Sequence, residues 1–330
     1  MLDVFNTNAF GLVALTAAVN KLPYVPGRIG QMGLFAEEGI TTTTIGIEER
    51  DGILCLVPNQ VRGGSAAVNP RVGRKMRNFT ALHLPMQDIV KADDVQNIRA
   101  FGSETAVETI AGKVNDKMGA MKQNIAATHE HLMIGALKGN IVDSNGSTSL
   151  CNLFTEFGLV QGTNDFAFSV PTTKIRPLCT ALIRKVETAL GAGVYDHVHA
   201  FVGATIFDAL IDHEDVRAAY ERWNNGEALR TDQRRGFLFG GIMWEEYRGS
   251  IGGVSFISAT GGIAFPVGVP GLYKMHYAPA DYVETVNTVG KPFYAKQTTT
   301  KFDKGIEIEV QSNPFPLVVR PQVLQAITQS

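Results

Sequence analysis

The sequence is short of cysteine, of long apolar runs and of any excess of charge, and each shortage removes a class of protein. Cysteine occurs three times, as Cys55, Cys151 and Cys179, an odd and widely spaced set beside apolar residues such as Leu54, Leu56 and Leu178. A small disulfide-stapled secreted domain needs paired cysteines, so these read as buried thiols of a protein kept in a reducing cytoplasm. The longest apolar stretch near the start, Gly11 to Val19, is too short to span a bilayer. Asp3 is the only charge before Lys21, so the basic beginning of a secretory signal is not expected either. Lys and Arg total 30 against 32 Asp and Glu, which leaves no global basic field to hold nucleic acid through counterion release. Repeats of solenoid length and low-complexity tracts are also lacking.

Signatures of catalysis are missing too. Gly112-Lys113 is followed by Val114 and Gly290-Lys291 by Pro292, so there is no phosphate loop. Gly191-Ala192-Gly193 lacks the third glycine of a dinucleotide fingerprint and follows a helical pattern instead of a strand. No Gly-x-Ser-x-Gly elbow occurs. His129-Glu130-His131 suggests a metal, but a spacing of two on a helix splays the side chains by ~200°, so these read as polar positions at a helix end. His197 and His199 share a strand face without a nearby carboxylate or cysteine spacing to complete a site, and read as sheet or interface histidines. The carboxylate pairs Glu48-Glu49, Asp93-Asp94 and Glu245-Glu246 point apart in strands and read as solvated surface. The expectation is a protein without catalytic residues, metal ligands or cofactor.

What is present is a 330-residue chain, 45% hydrophobic with 34 glycines, enough for a large α+β domain or two subdomains. Leu12, Leu15, Val19 and Leu22 recur at helical spacing behind Asn6 and Thr7, and Pro23 ends the pattern. Pro23 to Gly30, with two prolines and two glycines, is expected to run extended as an arm. The β-branched run Thr41 to Ile47, the turn signal Asp51-Gly52 and Ile53 to Val57 predict a hairpin. Residues 58 to 75 then read as a long, glycine-rich basic loop before a strand over Met76 to Leu84.

The clearest element follows. Thr105 and Glu108 form a capping box, and Val107, Ile110, Val114, Met118, Met121, Ile125, Thr128 and Leu132 step by three or four residues. One helix from Thr105 to about Lys138 is predicted, roughly 50 Å long, with one apolar stripe. Gly112 and Gly119 suggest close approach or a bend, and Gly135 and Gly139 a stop. After the turn Asp143 to Gly146, Pro177 opens a helix with Leu178, Leu182, Val186 and Leu190 on one face. His197 to Val202, Phe237 to Tyr247, Val254 to Ile257 and Ile263 to Val267 read as strands, with Ile206 to Trp223 as a helix between them. Phe293 to Lys296, Ile306 to Val310 and Pro316 to Val319 are further strands, and Val323 to Ile327 a final turn of helix.

Leu22-Pro23-Tyr24-Val25-Pro26-Gly27-Arg28-Ile29-Gly30, Gly33-Leu34-Phe35, Thr41-Thr42-Thr43-Thr44-Ile45 and Ile47-Glu48-Glu49-Arg50-Asp51-Gly52 resemble the lambda-type major capsid protein family of tailed bacteriophages. So do Ala92-Asp93-Asp94-Val95-Gln96, Arg99-Ala100-Phe101-Gly102, Ile134-Gly135-Ala136-Leu137-Lys138-Gly139 and Pro314-Phe315-Pro316, so the likeness spans nearly the whole chain in order. It implies the Hong Kong ninety-seven type phage capsid fold, an α+β architecture. On it, residues 1–35 would be an N-terminal arm, 36–90 an extended β loop with flanking strands, 91–174 a peripheral domain with the spine helix, 175–275 an axial domain, and 276–330 returning strands.

The implied function is a major capsid protein that forms pentamers and hexamers of an icosahedral head around double-stranded DNA, assembled in the host cytoplasm and resident in the virion. The residues alone leave another phage structural protein, a decoration or tail component, as the alternative. The implied partners are other copies of the chain, a separate scaffolding protein, a portal and a decoration protein, with the DNA enclosed without sequence-specific binding. Arg28, Arg50, Arg62, Arg71, Arg74, Lys75 and Arg77 are the candidate assembly contacts, because a basic arm and loop without interleaved aromatics suit acid on another subunit better than nucleic acid.

Overall fold

The computed structural model of the protein describes residues 12–21, 27–50, 74–96, 110–224 and 233–329. Along the chain these form α1 (Leu12–Lys21), α2 (Arg28–Met32), β1 (Ala36–Gly39), β2 (Thr44–Arg50), β3 (Arg74–Thr80), β4 (Leu84–Lys91) and the long α3 (Ile110–Leu137). Next come β5 (Asn140–Val142), β6 (Ser149–Asn152), α4 (Leu153–Phe157), β7 (Gly162–Asp165), α5 (Ile175–Leu190), β8 (His197–Val202), α6 (Ala204–Asp212) and α7 (Glu214–Asn224). The remaining strands are β9 (Phe237–Phe239), β10 (Ile242–Glu246), β11 (Ser250–Ile251), β12 (Val254–Ser255), β13 (Gly261–Val267), β14 (Tyr273–Tyr277), β15 (Tyr294–Thr299), β16 (Gly305–Ser312), β17 (Pro314–Val318) and β18 (Gln325–Thr328).

The 28 residues of α3 span ~42 Å and cross two apolar clusters. Its N-terminal stripe, Val114, Met118, Met121 and Ile125, packs with Val90 of β4, Ala295 of β15, Ile306, Ile308 and Val310 of β16, and Leu15 and Val19 of α1. Its C-terminal turns deliver Leu132, Ile134, Ala136 and Leu137 to the larger cluster, which also holds Leu182, Phe201, Trp244 and Phe265. The predicted capping box at Thr105 and Glu108 lies outside the described residues. Gly119 makes no close approach, since a Cβ there would meet nothing within 4 Å. The tight packing is at Gly135, where a Cβ would sit 3.0 Å from Ile141 Cα. Gly139, at φ +76, ends the helix.

The larger cluster is built on a six-stranded mixed sheet in the order β7-β18-β13-β8-β10-β9. In it β8 runs parallel to β10 and antiparallel to β13. A three-stranded antiparallel sheet, β15-β16-β4, lies under the first half of α3, and a second three-stranded sheet, β1-β14-β17, takes up the strand that follows the arm. No helix among the described residues is long and apolar enough to cross a membrane.

Several expectations change at strand ends and breaks. The segment read as extended, Pro23 to Gly30, turns helical from Arg28 onward in α2, because the Glu130 carboxylate accepts hydrogen bonds from free backbone N–H groups in its first turn. The partner of β2 is β3, in antiparallel register from Thr44↔Thr80 to Arg50↔Arg74, while the predicted partner Ile53 to Val57 lies outside the described residues. Arg74 and Lys75, read as loop residues, therefore belong to a strand. The strand read over Met76 to Leu84 divides at residues 81–83, where Leu82 N donates to Pro314 O and the chain changes sheet. Phe237 to Tyr247 is a hairpin turned at Gly240 and Gly241, both with positive φ. The helix read over Ile206 to Trp223 is two, broken at His213, whose backbone is extended and whose Nδ1 accepts from Asp215 N. Val323 to Ile327 is mainly strand, because a slot between β7 and β13 gives β18 backbone partners on both edges.

Candidate assembly site

The arm and the hairpin are attached to the body by polar contacts that single side chains control. At the arm, Glu130 is 4% exposed and collects three donors: Ile29 N at 2.8 Å, Gly30 N at 3.3 Å and the Tyr247 hydroxyl at 2.9 Å. A five-residue helix cannot sustain itself in water, so this carboxylate at its positive end and the burial of Ile29 are what fix it. A side chain at Gly27 would occupy the space of the Glu130 carboxylate. Beside it Arg28 forms a two-point ion pair with Glu245, Nε to Oε1 at 2.6 Å and Nη2 to Oε2 at 2.8 Å. His199 Nε2 lies 3.2 Å from Glu245 Oε2.

The electrostatics follow from burial and pairing. Burial works to raise the Glu245 carboxyl, but its contacts with His199 and Arg28 and the Arg28 charge outweigh it and hold the group below the ordinary carboxylate value. The Glu245 hydrogen bond raises the Arg28 guanidinium in turn. Burial first, then the Glu130 charge, pushes the Tyr247 hydroxyl up, so it stays a donor. Arg28, Glu130, Glu245, Tyr247 and Phe256 line an open cleft of about 830 Å³ against α3.

The hairpin is latched through Arg77. Its Nη1 and Nη2 donate to the carbonyls of Glu156 and Phe157 at the C-terminus of α4, the second at 3.2 Å, and its guanidinium lies 5.0 Å from the Phe157 ring centroid. Phe79 of β3 packs against Phe157 and Phe315, with ring centroids 6.0 and 5.3 Å away. Of the candidate contacts, then, Arg28 and Arg77 bond within their own chain. Arg50, Arg74 and Lys75 occupy facing ends of β2 and β3, and Arg62 and Arg71 lie outside the described residues.

Several polar residues of the candidate site are interior. His129, Glu130 and His131 are 6%, 4% and 7% exposed and serve three different contacts. His129 Nε2 bonds Ser312 Oγ at 2.9 Å and stacks on Phe293, while His131 Nε2 meets Asp143 O at 3.2 Å and packs on Phe256. Burial pushes His129 down to about 3. Glu245 and Glu246 are 5% and 8% exposed, not solvated, and Arg248 reaches Glu246 at 2.8 Å. The carboxylate absent from the sequence neighbourhood of His199 is supplied by Glu245 on the adjacent parallel strand. Cys179 is buried and Cys151 half-buried, whereas Cys55 lies outside the described residues. Among the described residues no group of three or more His, Cys, Asp or Glu side chains is placed to hold a metal ion. One available signal for the clasp was passed over, a carboxylate pair directly after the apolar run Ile242-Met243-Trp244.

Solved capsid structures share the fold of this chain. The capsid of an empty GTA particle superposes with a TM-score of 0.54 at 9% identity over 93% of this chain and 91% of that one. The capsid of Ralstonia phage GP4 gives 0.50 at 10% identity over 87% and 83%. The chain thus has the Hong Kong ninety-seven type capsid fold, of the α+β class. Sequence narrows the class. The model of the phage major capsid protein E family matches residues 11–329, and the chain belongs to that family. The major capsid protein of Pseudomonas phage KPP10 is 27% identical over 338 residues, covering 96% of each chain. That of Salmonella phage Felix O1 is 25% identical, covering 98% of this chain and 97% of its own. This assignment selects a major capsid protein over the decoration or tail component that the residues alone left open.

Proposed function

We propose that the chain assembles into pentamers and hexamers and closes with them into an icosahedral head around double-stranded DNA, a structural role without catalysis, its mature location being the virion. The family match along residues 11–329 carries this reading. It is supported by single polar contacts that hold the arm at Arg28–Gly30 and the hairpin at Arg77, through Glu130, Glu245 and the α4 carbonyls, contacts that can yield where copies with the same body meet neighbours at different curvatures. Residues 1–35 act as the arm, 36–90 as the extended loop, 91–174 as the peripheral domain, 175–275 as the axial domain and 276–330 as returning strands. Arg50, Arg62, Arg71, Arg74 and Lys75 meet acidic surface on adjacent subunits, while Arg28 and Arg77 set the direction in which arm and hairpin leave the body. A separate scaffolding protein, a portal and a decoration protein complete the particle, which is built in the host cytoplasm.

Negative-stain electron microscopy with light scattering, on the full chain alone and with a co-expressed scaffolding protein, tests the reading. Capsomer rings or closed shells are expected. Deletion of Ser65 to Val72 should leave a folded subunit that no longer closes shells, and a chain that stays monomeric under both conditions would sink the proposal.

A further inference from the structure

Helix α5 buries one stripe, Ile175, Cys179, Leu182, Val186 and Leu190, in the larger cluster and turns the opposite side to solvent. In a chain whose charges nearly cancel, that outer side is almost wholly basic. Residues 174–190 carry Lys174, Arg176, Arg184 and Lys185 against the single acid Glu187, and these side chains are all exposed. Arg320, also exposed, donates from Nη1 to Leu190 O at 3.1 Å and adds a further base at the C-terminal end of the helix. Little of this charge is neutralised. Glu187 is occupied by the Tyr195 hydroxyl at 2.8 Å, and Lys185 Nζ donates to the uncharged Asn164 Oδ1 at 2.7 Å. Lys174 has an acid at hand, Asp215 at 3.5 Å, whose other oxygen accepts from Ile175 N at 3.1 Å. Arg176 and Arg184 pair with no acid among the described residues.

We propose that this face of α5 binds the phosphate backbone of duplex DNA without reading its sequence, which turns α5 toward the inside of the head; the inference rests on the assembly reading above and names the surface where the enclosed nucleic acid meets the protein. Charge complementarity carries it. The 16 residues of α5 span ~24 Å, so its bases present a row of positive groups to a polymer that carries one charge for every ~1.7 Å of axis. Arg176 and Arg184 stand ~12 Å apart along the helix axis, close to the width of the major groove, so that they can reach phosphates on its two rims. The Thr180 and Thr188 hydroxyls donate to Arg176 O and Arg184 O at 3.1 and 2.7 Å and so lie down on the helix, which leaves the guanidiniums as the projecting groups. A protein partner fits less well, because protein interfaces centre on apolar and aromatic anchors. Here the exposed non-polar positions are the small Pro177 and Ala181, and residues 174–190 contain no aromatic side chain. The same lack argues against single strands, which are held by stacking bases on aromatic rings.

The test titrates the full chain into a labelled mixed-sequence duplex of about 20 base pairs and follows fluorescence anisotropy from about 50 to 200 mM salt. Each phosphate contact contributes about 0.9 to the slope of log affinity against log salt. The double variant Arg176→Gln, Arg184→Gln removes two exposed guanidiniums that pair with no acid, so it keeps the wild-type melting temperature and its slope is shallower by about 1.8. A control with the same loss of charge, Lys301→Gln, Lys304→Gln in the exposed β15–β16 turn, keeps the wild-type slope. A wild-type chain that does not bind the duplex at the lowest salt, an arginine variant with the wild-type slope, or a control that lowers the slope as much as the arginine variant does, overturns the proposal. So does an arginine variant that binds the duplex normally yet no longer assembles with a co-expressed scaffolding protein, which would assign the face to an acidic protein. Wild-type protein that forms neither rings nor shells in the microscope overturns the assembly reading itself, and anisotropy, which reads binding by the chain whether assembled or not, cannot produce that result.

Discussion

Removing the Glu130 carboxylate should undock the arm, and two substitutions separate the loss of charge from the loss of the acceptor. In Glu130→Ala the buried Ile29 N–H and the Tyr247 hydroxyl lose their partner, and each stranded donor costs about 1–3 kcal/mol. Gly30 is exposed, so water replaces its bond at little cost. The sum is about 2–6 kcal/mol. Glu130→Gln keeps an oxygen where Oε1 accepts from both Ile29 and Tyr247, loses only the charge assistance, and costs about 1–2 kcal/mol. At roughly 2 °C per kcal/mol for a chain of this size, the alanine variant melts roughly 4–12 °C lower if the arm unfolds with the body. Where the arm opens locally instead, trypsin cleavage after Arg28 reports it, since cleavage follows the open population and rises about 30-fold or more. An alanine variant with unchanged melting and unchanged cleavage at Arg28 would falsify the clasp. A glutamine variant as damaged as alanine would show that charge, not the acceptor, does the holding.

Three further outcomes follow from other contacts. His129 is held neutral when folded, with its value pushed down from 6.5 to about 3, so the unfolded chain binds the extra proton between these limits and stability falls as pH drops through that window. The loss reaches about 3 kcal/mol near pH 4.5, and denaturant titrations of His129→Gln should show a flatter pH dependence. The Cys179 thiol, pushed up to about 12 by burial, should resist a thiol reagent at neutral pH until the protein unfolds; reaction in the native state would refute its burial. Arg77→Ala should cost about 1–2 kcal/mol through lost carbonyl bonds and ring contact. Hydrogen exchange should then rise in β2 and β3 and stay unchanged in α5; a uniform rise would contradict a local latch.

Local periodicity determined much of this molecule. The stripe Val114, Met118, Met121, Ile125 repeats every three or four residues, and that alone requires a long helix with one buried face. The α5 face and the strands β8, β13, β15 and β16 were legible for the same reason, because apolar spacing records which side of an element is buried. The family motifs carried the capsid fold, a likeness that no single spacing could supply. Tertiary structure decided what pairs with what. Helical propensity says nothing for Arg28–Met32, whose N-terminus is capped by a carboxylate about a hundred residues away. Glu245 reads as surface until Arg28 and His199 close on it, since a charge can be buried once its partners come with it. β18 resembles a helix turn in isolation and becomes a strand because two open edges await its backbone. Periodicity is a property of one segment, whereas caps, ion pairs and strand pairing join segments distant in sequence, so only the folded chain could fix them.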